Sequence, residues 1–164
     1  MLSRFNTYVI LTCLTVLYCS CTVEDITTNH PTVDLTIASQ TNWELAGQIL
    51  KLINDHRAQG GLNPIQLDSL HATAYAVQHS TYMIETNTVN HTNFYKRSLG
   101  LKKLGAQVVA ENVAYGYATA ESVVRAWLNS SKHKTVLEGD YIYSGIGIIS
   151  NTEGKFYYTQ LFYK

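Results

Sequence analysis

Cys13, Cys19 and Cys21 are the only cysteines in this 164-residue chain, so everything after position 21 is free of them. The body therefore cannot be stapled by disulfides, and it can hold neither a cysteine nucleophile nor a zinc–thiolate site. It has to fold on an apolar core alone. The length suits one domain of about 100–150 residues behind a leader. With 46% apolar and 15% charged residues the chain is globular, not a long disordered tract. Twelve Lys and Arg balance twelve Asp and Glu, so no net field draws the chain to nucleic acid. Twelve tyrosines suit strands and core rims, and they also suit an extracellular domain with sugar-like or peptide-like partners.

The leader MLSRFNTYVILTCLTVLYCSC carries one charge, Arg4, ahead of an apolar run over residues 8–18. That is the pattern of a signal peptide, and it is short for a membrane span. Its end, Leu17-Tyr18-Cys19-Ser20-Cys21, resembles a bacterial lipoprotein box. Ser20 fits the small residue before the cleavage point and Cys21 the lipidated cysteine, while Tyr18 stands where an aliphatic residue is usual. The expected plan is a signal peptide over 1–20, a lipidated N-terminus and polar tether over 21–41, and a folded domain over 42–164. The resemblance implies a membrane partner held through lipid on Cys21, and a cell-envelope location, periplasmic or at the surface. Glu24 and Asp25 resemble the acidic surface-export signals of some Gram-negative lipoproteins.

In the body, Trp43, Leu45, Ala46, Ile49, Leu50 and Ile53 recur at helical spacing, which predicts a helix over about 42–58 ended by Gly60-Gly61. Asp68 suits an N-cap for a second helix carrying Leu70, Ala74, Val77 and Met83 to about residue 86. Residues 87–105 read as loop with short helical turns. A short strand is expected over 107–115, and a third helix opens at Thr119 with Val123, Val124, Ala126, Trp127 and Leu128 on its apolar face. Two strands, 143–150 and 155–164, flank the hairpin material Asn151-Thr152-Glu153-Gly154. Helices among strands with an antiparallel final pair give an α+β layered domain.

Within the stretch QVVAENVAYG, Glu111 and Asn112 interrupt an apolar run. A buried, unpaired carboxylate is costly, so Glu111 either faces water or meets partners brought from elsewhere. The segments INDHRAQGGLNPIQLD, HSTYM, VNHTNF, AENVAYG, VVRAWLNSSKHKTVL, YSGIGI and FYYTQLF supply a context for partners. In this order they resemble the CAP superfamily of cysteine-rich secretory, antigen-5-like and pathogenesis-related proteins, and its bacterial secreted branch most. The likeness covers about residues 45–163 and implies a three-layer α-β-α sandwich with a central cleft of two histidines and two glutamates, which holds a divalent metal in some members.

By that resemblance His91 matches the first histidine, Glu111 the first glutamate and His133 the bacterial branch's second histidine. Tyr157, in Phe156-Tyr157-Tyr158-Thr159-Gln160, occupies the place of a histidine used by animal and plant members. Trp127 is followed by Leu128, Asn129, Ser130 and Ser131 where a second glutamate is expected. The chain thus keeps at most three of the four, with Asn112, Trp127, Tyr157 and Gln160 as cleft support. Two imidazoles and a carboxylate make a three-ligand set for Zn²⁺ with a position open to water, whose pKa a metal lowers to about 7. Without metal, Glu111 can hold an imidazole in one tautomer, and Asn112 can satisfy backbone groups at the bend.

Plainer readings exist for each residue: His91 solvated in a loop, Glu111 an exposed strand acid, His133 stabilising a helix C-terminus. His56, His71 and His79 fall in helices as surface or core residues, and His30 lies in the tether. Ser130 and Ser131 lack a nucleophile elbow. Three functions follow: an extracellular binding or interaction module for a small envelope ligand or a protein partner; a zinc-dependent hydrolase using His91, Glu111 and His133; or, from the wider family, a lipid- or sterol-binding module.

Overall fold

The apolar stripe from Leu45 to Ile53 folds as α1, Trp43–Gln59, with Asn42 as its cap accepting from the Leu45 N–H at 3.1 Å. This is a computed structural model that describes residues 32–164, so the leader, Cys21 and residues 22–31 lie outside the described residues. The second helix, α2, His71–Glu85, is preceded by Asp68, whose carboxylate accepts from the N–H groups of Leu70, His71 and Ala72. Three donors on one carboxylate satisfy most of the groups that a helix start leaves unpaired. Thr119 and Ser122 form a reciprocal capping box that opens α4, Ala120–Asn129.

The strands are β1, Gln66–Leu67; β2, Val109–Tyr115; β3, Tyr143–Ser150; and β4, Phe156–Tyr163. They form one sheet in the order β1-β3-β4-β2, with β1 parallel to β3 and the other pairs antiparallel. β2 is therefore an edge strand although it lies mid-chain. Alternation along the strands sends Ile146, Ile148, Tyr158 and Phe162 to one face, where they pack with Ile49, Ile53, Val124 and Trp127 of α1 and α4. Leu161 points the other way, into Ala72, Tyr75, Ala76 and Leu101. The expected α+β three-layer α-β-α sandwich is what the chain builds.

Between the isoleucines, Gly145 and Gly147 face α2 at close range. A Cβ added at Gly147 would lie 2.3 Å from the backbone C of Ala76 and N of Val77, and one at Gly145 equally close to Ala72 and Thr73. The alternating Gly-Ile-Gly-Ile of β3 thus lets the helix backbone rest on one face while large side chains fill the other.

Four features differ from the sequence reading. Residues 94–103, expected as loop with short turns, form a continuous helix, α3, Phe94–Lys103. Its buried side consists of Arg97, Gly100 and Leu101, so no apolar stripe marks it; Gly100 is there because the Tyr75 ring presses against that position. After α4 a separate helix, α5, Ser131–Leu137, buries only Leu137. β1, a strand not expected between the first two helices, forms through Gln66 N–H to Ile142 C=O and Asp68 N–H to Ser144 C=O, both 2.8 Å. Residues Leu35–Gln40, assigned to the tether, form a 3-10 helix against α2. Thr41 follows it, with its hydroxyl on the Ile146 carbonyl and its oxygen accepting from the Ile148 N–H.

Replacing Gly147 with Ala should cost about 3 kcal/mol, since backbone cannot yield to a methyl group as a flexible side chain can. Urea unfolding measures this, and a loss below about 1 kcal/mol would show that α2 does not sit so near β3.

A candidate site at the free edge of the sheet

Mutual hydrogen bonds between Val108 and Lys164, and the bond from Gly116 N–H to Phe156 C=O, set which β2 residues face β4. Even-numbered residues bond to β4, and the backbones of Glu111 and Val113 turn to the open edge. There the Trp127 indole donates to the Val113 carbonyl at 3.2 Å. Side chains alternate in the perpendicular direction. Val113 packs with Met83 and Tyr157 on the α2 side, so Glu111 points to that layer and Asn112 to the opposite one. Two neighbouring polar residues thereby serve two different layers.

Glu111 meets a cation that the sequence reading did not assign to it. Arg97 of α3 grips it bidentately, Nε to Oε2 at 2.7 Å and Nη2 to Oε1 at 2.8 Å, and its Nη1 donates to the Thr92 carbonyl at 2.9 Å. Both residues are buried. Burial works against the Arg97 charge, and the carboxylate beside it works in its favour. His91, on the loop between α2 and α3, adds Nδ1 to Oε1 at 2.8 Å. A carboxylate only accepts, so Nδ1 carries the proton. The His91 side chain is still 52% exposed.

His133 of α5 approaches from the other layer. The Asn112 amide donates to its backbone carbonyl at 3.2 Å, which ties α5 to the edge strand. Burial lowers the His133 pKa, and the nearby positive charge available to His91 lowers it further. Glu111 pairs with His91, and among the described residues no hydrogen bond joins it to His133.

As a ligand set for a divalent metal, the trio fits poorly. Arg97 and His91 occupy both Glu111 oxygens, and a guanidinium beside the carboxylate opposes a second cation. Among the described residues no group of three or more His, Cys, Asp or Glu side chains is placed to hold an ion.

The supporting residues fall into place around this edge. Tyr157 packs at 4.4 Å, centroid to centroid, against Tyr115 and donates to Asn87 Oδ1 at 3.3 Å. Gln160 is the register partner of Asn112 and donates to Ser144 Oγ at 3.0 Å. The amide oxygens of Asn112 and Gln160 are buried without a partner among the described residues. His79, read as a surface or core residue, is buried, and its Nε2 meets the Asn90 carbonyl at 2.7 Å, bracing the loop that carries His91. Burial and the Arg97 charge hold the His79 pKa below the ordinary histidine value. Behind Arg97 and His79 lies a cavity of about 560 Å³, lined also by Gln40, Gln78, Tyr82 and Asn93.

The missed residue was Arg97. Its signal was indirect: an acid in an apolar strand asks for a buried cation, and the Lys-Arg pair at 96–97 sits in a stretch with no acid of its own.

Arg97→Met should destabilise the domain by about 3–5 kcal/mol, because it strands a buried carboxylate. His91→Gln should cost under about 1 kcal/mol, since that partner is half in water. Equal losses in denaturant unfolding would contradict the ranking. For pH, both lowered histidines, His79 and His133, favour the neutral form when folded. Their contribution is therefore full above the ordinary histidine pKa of about 6.5 and is lost as pH falls below it. The unfolding midpoint should drop between pH 7.5 and 5.5, and more shallowly in His79→Gln; identical slopes would rule out His79 as a source.

Comparison with known proteins agrees with this architecture. Residues 50–162 match the model of the cysteine-rich secretory protein family, CAP. The chain is 35% identical over 122 residues to the membrane protein YlbC of Bacillus subtilis, covering 71% of this chain and 34% of that one. It is 31% identical over 109 residues to YkwD of the same organism, covering 63% and 42%. It thus spans less than half the length of these relatives. An outer surface protein of Borrelia burgdorferi superposes with a TM-score of 0.66 at 26% identity, covering 74% of this chain and 92% of that chain. An SCP-domain extracellular protein of Bacillus anthracis gives 0.63 at 27%, covering 72% and 39%. Sequence and fold together make this chain a member of the cysteine-rich secretory protein (CAP) family.

Proposed function

We propose that this chain is an exported, surface- or envelope-located binding module, held to a membrane through lipid on Cys21, whose polar edge site contacts a small envelope ligand or a protein partner. The observation that carries the binding reading is the state of Glu111. Bonded by Arg97 on both oxygens and by His91 on one, it is spoken for as a general base and as a metal ligand. A half-exposed imidazole beside a neutralised carboxylate is suited to recognition by hydrogen bonding. The adjoining cavity, about 560 Å³, has a volume typical of small-molecule sites. Names of related proteins, an outer surface protein and an extracellular one, agree with export. Among the described residues no helix is long and apolar enough to cross a membrane.

The zinc-hydrolase reading with His91, Glu111 and His133 requires Arg97 to leave the carboxylate. The lipid- or sterol-binding reading would need an apolar groove. The groove between α1 and α4 has Leu52, Val124 and Leu128, but Asp55, Gln59, Glu121 and Arg125 share its lining.

The purified full chain, assayed on peptide, ester and glycan substrates, should show no turnover that His133→Ala abolishes, and no stoichiometric zinc. Turnover lost in that variant, or zinc lost on Glu111→Gln, would replace the binding reading with the hydrolase.

A further inference from the structure

The outward face of α3 has a composition that the edge site does not explain. Residues 86–110 contain no Asp or Glu, yet they carry Lys96, Lys102 and Lys103, all exposed. Among them stand exposed apolar side chains: Tyr95, Leu99, Leu104 and Val108. Tyr95 is 66% exposed and Leu104 58%, too open to be rim residues of the core. At about 100° per residue, Tyr95 and Leu99 lie along the centre of the outer stripe. Lys102 flanks it on one side, Lys96 and Lys103 on the other. The inner stripe, Arg97, Gly100 and Leu101, is buried. Leu104 and Val108, also exposed, lie beyond the C-terminal end of the helix.

An apolar seam flanked by lysines is the arrangement by which a helix lies in the headgroup region of an anionic bilayer. The apolar side chains enter the interface and the amines stay at phosphate depth. A protein partner as apolar as this seam would not need three flanking cations on a helix that carries no acid of its own; an anionic lipid surface makes use of them. We propose that α3 is a second, reversible contact with an anionic membrane surface, through Tyr95 and Leu99 with Lys96, Lys102 and Lys103. This contact lies on the outer face of α3 and does not use His91 or Glu111, although Lys96 also lines the cavity. It would set the orientation of the domain on the membrane, because the inner side of the same helix holds Glu111 through Arg97.

Each lysine near an anionic surface contributes about fivefold in partitioning, and three together about a hundredfold. The test uses the full chain carrying Tyr95→Trp, mixed with vesicles of phosphatidylglycerol whose acyl chains are brominated. Emission above that of Trp43 and Trp127 should be quenched in these vesicles. It should fall to the level of brominated phosphatidylcholine when Lys96, Lys102 and Lys103 are all changed to Gln or when salt reaches 0.5 M, roughly three times physiological strength. Exposed lysine changes leave the core intact, so an unchanged unfolding midpoint certifies the triple variant. No quenching by the anionic vesicles, or equal quenching by both lipids, would overturn the proposal and leave the face as a contact for protein. Either result leaves the cleft assays unaffected.

Discussion

The bidentate bond from Arg97 to Glu111 links a helix to an edge strand at a point where each charge, alone, would be a liability. Taking two ions out of water is repaid only when geometry is good and the remaining hydrogen-bonding capacity is used. Both conditions are met: Arg97 also donates to the Thr92 carbonyl, and Glu111 also accepts from His91. The pair thereby determines how α3, the loop before it and β2 meet. Because each partner is needed to keep the other from being stranded, the link gives position more than net stability.

The strand's alternation extends this arrangement to the other layer. Glu111 reaches the α2–α3 side, while Asn112, one residue on, holds α5 through the His133 carbonyl. Trp127 of α4 closes the edge backbone just after them, its indole N–H donating to the Val113 carbonyl. Both histidines consequently stand at the rim of the same edge without sharing a ligand. The guanidinium of Arg97 beside Glu111 opposes a second cation there. This is a property of the chain's own residues and does not depend on what relatives do.

Much of the fold could be read from the sequence because its elements advertise themselves. α1 shows its apolar spacing from Leu45 to Ile53, and the last two strands show their turn at Asn151–Gly154. α3 could not be read in this way. Its hidden face is made of an arginine, a glycine and a single leucine, too few apolar residues to mark a hydrophobic period, while Tyr95 and Leu99 are exposed. Residues 34–41 looked polar enough for a tether, yet Thr41 and Asn42 bond to β3 backbone, a role that polarity favours. In the site, His91, Glu111 and His133 were identifiable by their motif positions. That Glu111 belongs to Arg97 depends on a three-dimensional approach across fourteen residues, which no local pattern encodes.

The central claim is that Arg97 and Glu111 are locked to each other away from solvent. Guanidinium Nε–H exchange measured by nitrogen-detected NMR reads that lock directly. At neutral pH the Arg97 Nε–H should exchange far more slowly than that of Arg125, which is exposed, and should lose its protection when Glu111 becomes Gln. An Arg97 signal exchanging as fast as Arg125 in the unaltered chain would contradict the account.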